Sequence, residues 1–221
     1  MIQSNEEMDW NDLEKHFSPA RLGRYRAARG GNATKAAADY SSNILLSEAM
    51  VPMLNVLEIA LRNRIHASLS KRYGRADWWE AWVDDPAFSW QNKEVAGAKA
   101  KLSRRHESQN PDKVLAELTF GFWISLFNAQ FQMILWKDLR LVFAYCPKPQ
   151  RQRHSISSAL NQIRDLRNRV FHHEPILWLT PTLLDQHTIG VTVINWVDPQ
   201  LGQWLGNHDR LPATWAEWVA T

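Results

Sequence analysis

The sequence predicts an all-α protein, and three observations carry that prediction. Apolar residues recur at helical spacing: Leu54, Leu57, Leu61, Ile65 and Leu69 form one stripe, and Ile156, Leu160, Ile163, Leu166 and Val170 form another. Nothing in the chain alternates apolar and polar residues as a half-buried strand would, and its 9 glycines and 10 prolines are few for 221 residues. Most of the prolines and several of the glycines stand where a helix should start or stop.

In chain order, residues 1–14 are acidic and form a lead-in or a short helix. Ser18-Pro19 fits an N-cap followed by proline at the first helical position, starting a helix that runs to about Arg29. Gly30-Gly31 breaks it. A long helical region follows from about Thr34 to Arg72, with Pro52 expected to kink or split it and Gly74 to end it. The acidic, tryptophan-rich stretch 75–91 reads as a loop with a short helix. Its tryptophans read as packing anchors, because basic residues are not interleaved with them as on a base-stacking platform. A basic helix spans about Gln91 to Arg105, and Asn110-Pro111-Asp112 starts the next. Leu118 to Trp136 carries no charge over 19 residues. It is long enough for a membrane span, but Ser125, Asn128, Gln130 and Gln132 interrupt it, and it reads as the buried central helix of a bundle. Cys146-Pro147-Lys148-Pro149 is a linker, followed by a helix from Gln150 to His173. Further helices open at Pro181, Asp198-Pro199 and Pro212. The expected organisation is a lead-in and short helix over 1–32, the main helical domain over 33–206, and a C-terminal helical tail over 207–221 packed on it.

The single cysteine, Cys146, rules out an internal disulfide and fits a reducing cytoplasm. The acidic N-terminus has no apolar signal region, so a cytoplasmic protein away from membranes is expected. The net charge of +3 conceals segregation. Arg21 to Lys35 and Leu61 to Arg75 each hold 5 basic residues and no acid, Lys148 to Arg169 holds 6 and one acid, whereas Glu174 to Thr221 holds 5 acids and one base. Basic patches of this size suit a polyanion such as RNA, and they equally describe solvated helix faces.

The densest chemistry lies in Asn161 to Pro175, NQIRDLRNRVFHHEP. Projected on the helix, Arg167 falls within about 40° of the middle of the apolar stripe, and Arg169 points the opposite way. A guanidinium turned towards a core keeps its charge and needs an anion, either a carboxylate of the chain or a phosphate. Glu58 stands at the edge of the earlier stripe, four residues before Arg62, so it either pairs with Arg62 along its own helix or receives Arg167 from a facing helix. Asn168 and His172 share a face one turn apart, and Pro175 should end the helix near His172 and His173.

Other chemistries find no pattern. The chain lacks a Gly-rich phosphate loop and a His-Glu-x-x-His motif, and the His172-His173-Glu174 run fans out around a helix rather than converging, so neither metal nor cofactor is expected. No base is obviously paired with Cys146.

Leu166-Arg167-Asn168-Arg169-Val170-Phe171-His172-His173-Glu174-Pro175 resembles the signature of the Abi-like (abortive infection) branch of HEPN domains, an arginine, then four to six residues of which the first is often asparagine, then histidine. His172 matches with four intervening residues and His173 with five; the family pattern favours His172. Asn55 to Asn63 resembles an earlier helix of the family and Glu117 to Trp123 its middle helix, so the resemblance covers most of 40–205. Phe171 departs from it, standing where a smaller residue is usual. The resemblance implies a HEPN-like helical bundle with additional C-terminal helices. It implies a homodimer with two Arg/His motifs facing a shared cleft, and metal-independent RNA cleavage in phage defence or as a toxin, with an antitoxin or regulatory partner. In that setting Arg167 stabilises phosphate charge, His172 acts as general acid or base and Asn168 orients. Glu58, Arg62 and His173 support them, and Arg64, Arg164 and Arg169 bind RNA. The competing readings are a non-catalytic helical module binding RNA or a partner protein, and a nucleotide-binding domain that needs a second protein.

Overall fold

The computed structural model describes residues 8–220, and among these the chain forms eleven α-helices and no strand. The helices are α1 (Trp10–Phe17), α2 (Pro19–Ala28), α3 (Ala33–Tyr73), α4 (Ser89–Arg104), α5 (Pro111–Glu117), α6 (Phe120–Ser125), α7 (Trp136–Leu139), α8 (Arg153–Phe171), α9 (Leu183–Val197), α10 (Pro199–Gly206) and α11 (Leu211–Val219). The protein is therefore all-α. The sequence-level expectation for residues 1–7 lies outside the described residues.

The chain forms two compact units, neither continuous in sequence. The first takes the described residues of Met1–Val51, Leu166–His187 and Asp209–Thr221; the second takes Pro52–Asp165 and Thr188–His208.

In the first unit, Asp9 caps α1 by accepting the Asp12 backbone N–H at 2.9 Å. Ser18 occupies the N-cap of α2 with Pro19 at the first helical position, but it stands at φ 59° and its side chain makes no cap bond. Gly30 and Gly31, both at positive φ, turn the chain into α3. A bidentate pair, Arg29 Nη2 to Asp39 Oδ1 at 2.6 Å and Nε to Oδ2, fastens the end of α2 to the first turns of α3, with Asp39 buried. The rings of Phe17, Tyr40, Tyr25 and Trp178 follow one another at centroid separations of 5.1, 5.3 and 5.6 Å.

The second unit is built on aromatic residues. Trp78, Trp79 and Trp82, on a 3-10 turn (Trp78–Trp82), are fully buried, as the packing-anchor reading expects. Trp82 stacks on Phe88 at 4.2 Å and Phe88 on Phe131 at 4.8 Å. Two of the polar edges are satisfied: Trp82 Nε1 donates to the Tyr73 hydroxyl at 2.9 Å and Trp78 Nε1 to His66 Nδ1 at 3.1 Å, whereas the buried Trp79 Nε1 makes no hydrogen bond.

Two expectations are corrected. Pro52 does not split the long helix: α3 runs 41 residues with Pro52 inside it. A proline forfeits one backbone hydrogen bond and costs ~3 kcal/mol, which a helix with long buried stretches on both sides can absorb. The uncharged stretch 118–136 is not one helix. Its first part, through Phe127, is largely buried, but Asn128, Ala129, Gln130, Gln132 and Met133 are exposed, and the stretch breaks into α6, a 3-10 turn (Ala129–Phe131) and the start of α7. Small polar side chains set the breaks. Thr119 caps α6 through the Phe122 N–H at 3.3 Å, Ser125 Oγ takes the Phe122 carbonyl at 2.7 Å, and Asn128 is extended at φ −64°, ψ 156°. The helix that does meet the length and apolarity of a membrane span is α3, with 44% of its most apolar window buried inside the protein.

Candidate functional site

The site assembles in the first unit, where α8 ends. The stripe Ile156, Leu160, Ile163, Leu166 and Val170 is buried throughout, so the helix is held along its apolar face up to its last turn. α8 stops at Phe171 in a Schellman closure: the Glu174 N–H bonds the Arg169 carbonyl at 2.9 Å, and the His173 N–H bonds the Val170 carbonyl at 3.1 Å. His173 takes the left-handed position, φ +56°, that glycine usually fills. This places both imidazoles just past the helix, exposed to solvent, as the proline at 175 leads one to expect.

The turn is braced from two sides. Arg21 Nη1, on α2, donates to the His173 carbonyl at 2.8 Å. Asn43, buried on α3, donates to the Glu174 carbonyl at 3.3 Å and accepts the Ile176 N–H at 2.8 Å. Arg169 is exposed, opposite to the stripe as projected, and lies 3.4 Å from Glu174.

Arg167 is half-buried, and its guanidinium carbon sits 4.7 Å from the centroid of Phe171, one turn on. The bulky Phe171 thus serves as a platform for Arg167. Asn168 is half-buried, and its carbonyl accepts the His172 N–H at 2.8 Å.

Two openings flank the turn. One, of about 360 Å³, is lined by Ser18, Ala20, Arg21, Arg24, His172, His173, Glu174 and Pro175. It gathers two guanidinium and two imidazole side chains around an open concavity, a donor set suited to a phosphate or other oxyanion. The other, of about 520 Å³, is mostly apolar, with Phe17, Tyr40, Ile44, Val51, Val170 and Phe171 in its walls. Arg21 and His173 belong to both. The sequence alone did not connect Arg21 and Arg24 to the motif. Their signal was the acid-free basic run from Arg21 to Lys35, which does not say what α2 will fold against.

The remaining candidates, Glu58, Arg62, Arg64 and Arg164, belong to the second unit. Glu58 and Arg62 are half-buried on α3, and Arg62 Nε reaches Asn63 Oδ1 at 3.3 Å. Arg64 lies 3.2 Å from Asp198, and Arg164 pairs with its neighbour Asp165 at 2.9 Å. Exposed pairs of this kind are worth about 0–1 kcal/mol, so both arginines can change partners cheaply.

Among the described residues no three metal-ligating side chains cluster. His187, which the sequence did not single out, is buried in the first unit with Nε2 3.0 Å from the Asp209 carboxylate. No protein-family model matches the chain, and no curated protein or solved structure matches it.

Proposed function

We propose that this protein is a metal-independent endoribonuclease of the HEPN type, serving in phage defence by abortive infection or as a toxin. The observation that carries the reading is the pocket at the end of α8, where His172 and His173 stand beside Arg21 and Arg24 directly after the Arg167-Asn168 pair. The chemistry asks for little more. The ribose 2′-oxygen attacks the adjacent phosphorus as its proton passes to a base; the bond to the 5′-oxygen breaks, and that oxygen takes up a proton. Charge gathers on the non-bridging oxygens, where an arginine fork stabilises it. Imidazole exchanges protons near neutral pH and suits either transfer. In this scheme His172 is the acid or base, Arg167 meets the phosphate charge, Asn168 orients, and Arg21 and Arg24 hold the backbone of the RNA. With one Arg/His set per chain, two chains would face their sets across a shared cleft, so the working form is a homodimer in the cytoplasm, held in check by an antitoxin or regulatory partner.

A specific observation favours the non-catalytic alternative. The guanidinium groups lining the His172 pocket are those of Arg21 and Arg24, whereas Arg167 is laid on Phe171. Such a pocket binds RNA without cutting it.

One experiment separates the two: purified protein incubated with total cellular RNA, with and without EDTA, beside Arg167→Ala and His172→Ala proteins shown to be folded by circular dichroism. The nuclease reading expects cleavage unchanged by EDTA, a loss of roughly 10²–10³ in rate for Arg167→Ala and roughly 10²–10⁴ for His172→Ala. Folded variants that cleave as fast as the parent would refute it. A parent that binds RNA in a salt-dependent way but cleaves nothing establishes the binding module instead.

A further inference from the structure

We infer that the apolar cavity beside the α8 turn is a base-binding subsite, and that the unit recognised is one single-stranded nucleotide: its phosphate between Arg21, Arg24 and His172, its base between Phe17, Tyr40 and Phe171. The inference rests on the RNA reading above and names what that site grips.

The two openings share Arg21 and His173, so they adjoin on either side of the Arg21–His173 hydrogen bond at the turn. One supplies cationic and imidazole donors, the other flat apolar walls. That division matches a nucleotide, which joins an anion to a planar ring across a short sugar. The volume of about 520 Å³ lies within the range of pockets that enclose small organic ligands, and single-strand binders hold successive bases on aromatic faces above a positively charged track.

The aromatic walls are fixed before any ligand arrives. Phe17 lies 5.1 Å from Tyr40, which is buried and rests in turn on Tyr25. Phe171 is held by the Arg167 guanidinium, 4.7 Å from its ring centroid. Phe17, Ile44, Val51 and Phe171 nonetheless keep between 38% and 53% of their surface exposed, a concentration of open apolar area at one place in the first unit. The arginines select the occupant. A purely apolar peptide makes no use of Arg21 and Arg24, whereas a nucleotide engages both halves, beside Glu174 in the one opening and Glu48 in the other.

The Arg167–Phe171 contact then has a consequence for the site. Arg167 supports the ring on which the base stacks, so the motif arginine also positions substrate.

The test is calorimetric titration of the intact protein with adenosine 5′-monophosphate, ribose 5-phosphate and inorganic phosphate, repeated with Ile44→Trp and Arg24→Ala. Ile44 is half exposed on α3, so a larger side chain fills the cavity without entering the core. The expected result is that the mononucleotide binds roughly 5- to 100-fold more tightly than ribose 5-phosphate, the range that stacking of one base supplies. Ile44→Trp should remove that increment and keep the binding of ribose 5-phosphate, while Arg24→Ala should weaken all three phosphate ligands. Equal affinity of the parent for the mononucleotide and ribose 5-phosphate overturns the inference and needs no variant. So does an increment that survives in folded Ile44→Trp, or light scattering in which Ile44→Trp converts a parent dimer to monomer, which assigns the cavity to a second copy of the chain. Binding is read without cleavage. A protein that cleaves RNA but ignores the base loses the subsite and keeps its function; one that prefers the mononucleotide but never cleaves loses the nuclease reading and keeps the subsite.

Discussion

His173 sets the geometry of the α8 turn at a cost. A non-glycine side chain in the left-handed region is strained by about 1–2 kcal/mol, and His173 accepts this at φ +56° to close the helix. His173→Gly should therefore stabilise the fold by roughly 0.5–1 kcal/mol, read as a higher urea midpoint. A lower midpoint would show that the imidazole holds the turn. His187 gives a second prediction. Burial, only partly offset by the Asp209 carboxylate, lowers its pKa below the ordinary 6.5. The unfolded chain therefore binds this proton more readily than the folded one. The associated stability is fully present above pH 6.5 and is lost as pH falls through the window between that value and the lowered folded pKa. His66, also lowered by burial, adds a loss of the same sign. The urea midpoint should fall between pH 8 and pH 5.5, and His187→Gln should shrink the fall. A parent midpoint flat across that range would show that neither histidine resists its proton. No sequence pattern announced His187, because its burial depends on where Asp209 folds.

At the scale of the element, glycine shows where packing overrules propensity. Gly190 sits inside α9, where alanine is ordinarily better by about 1 kcal/mol. A Cβ there would lie 2.3 Å from Sδ and 2.6 Å from Cε of the fully buried Met53. Met53 has no exposed space to move into, so overpacking of about 1–3 kcal/mol should prevail. Gly190→Ala is expected to destabilise, and adding Met53→Ala should make its effect smaller; a stabilised Gly190→Ala would mean that the core gives way freely. Helix ends were more readable. The Thr182 hydroxyl accepts the Asp185 N–H at 3.1 Å while the Asp185 carboxylate accepts the Thr182 N–H at 3.0 Å, a reciprocal cap before α9. Thr182→Ala should cost about 0.5–2 kcal/mol by urea denaturation, and no measurable loss would leave the cap idle.

Across the whole molecule, 26 basic and 23 acidic residues nearly cancel, so any grip on a polyanion depends on their distribution. RNA affinity should fall steeply with salt, and each of Arg21→Ala and Arg24→Ala should reduce the slope of log K against log salt by about 1. Slopes equal to the parent's would move the RNA to another face. The proposed homodimer predicts a particle of twice 25.6 kDa in light scattering, and a particle of 25.6 kDa at working concentration removes it.

The sequence by itself determined the helical class, most helix boundaries, the buried stripe of α8 and the place where its imidazoles emerge. Each follows from forces between near neighbours: the 3.6-residue period, capping side chains, and proline's missing N–H. It misread 118–136 because a run of apolar residues is equally consistent with burial in several short pieces, and Ser125 and Asn128 chose the pieces through local bonds. It left a kink and a split at Pro52 open, and the split does not occur because one lost hydrogen bond does not outweigh the packing of a long helix. Only the tertiary structure set Arg21 and Arg24 beside His172, laid Arg167 on Phe171 and opened the apolar cavity against that turn. The first and last of these bring α2 and the first part of α3, neighbours in the chain, to the end of α8 more than a hundred residues further on, as in the 152-residue separation of Arg21 from His173, and no period or spacing along a sequence encodes such a meeting.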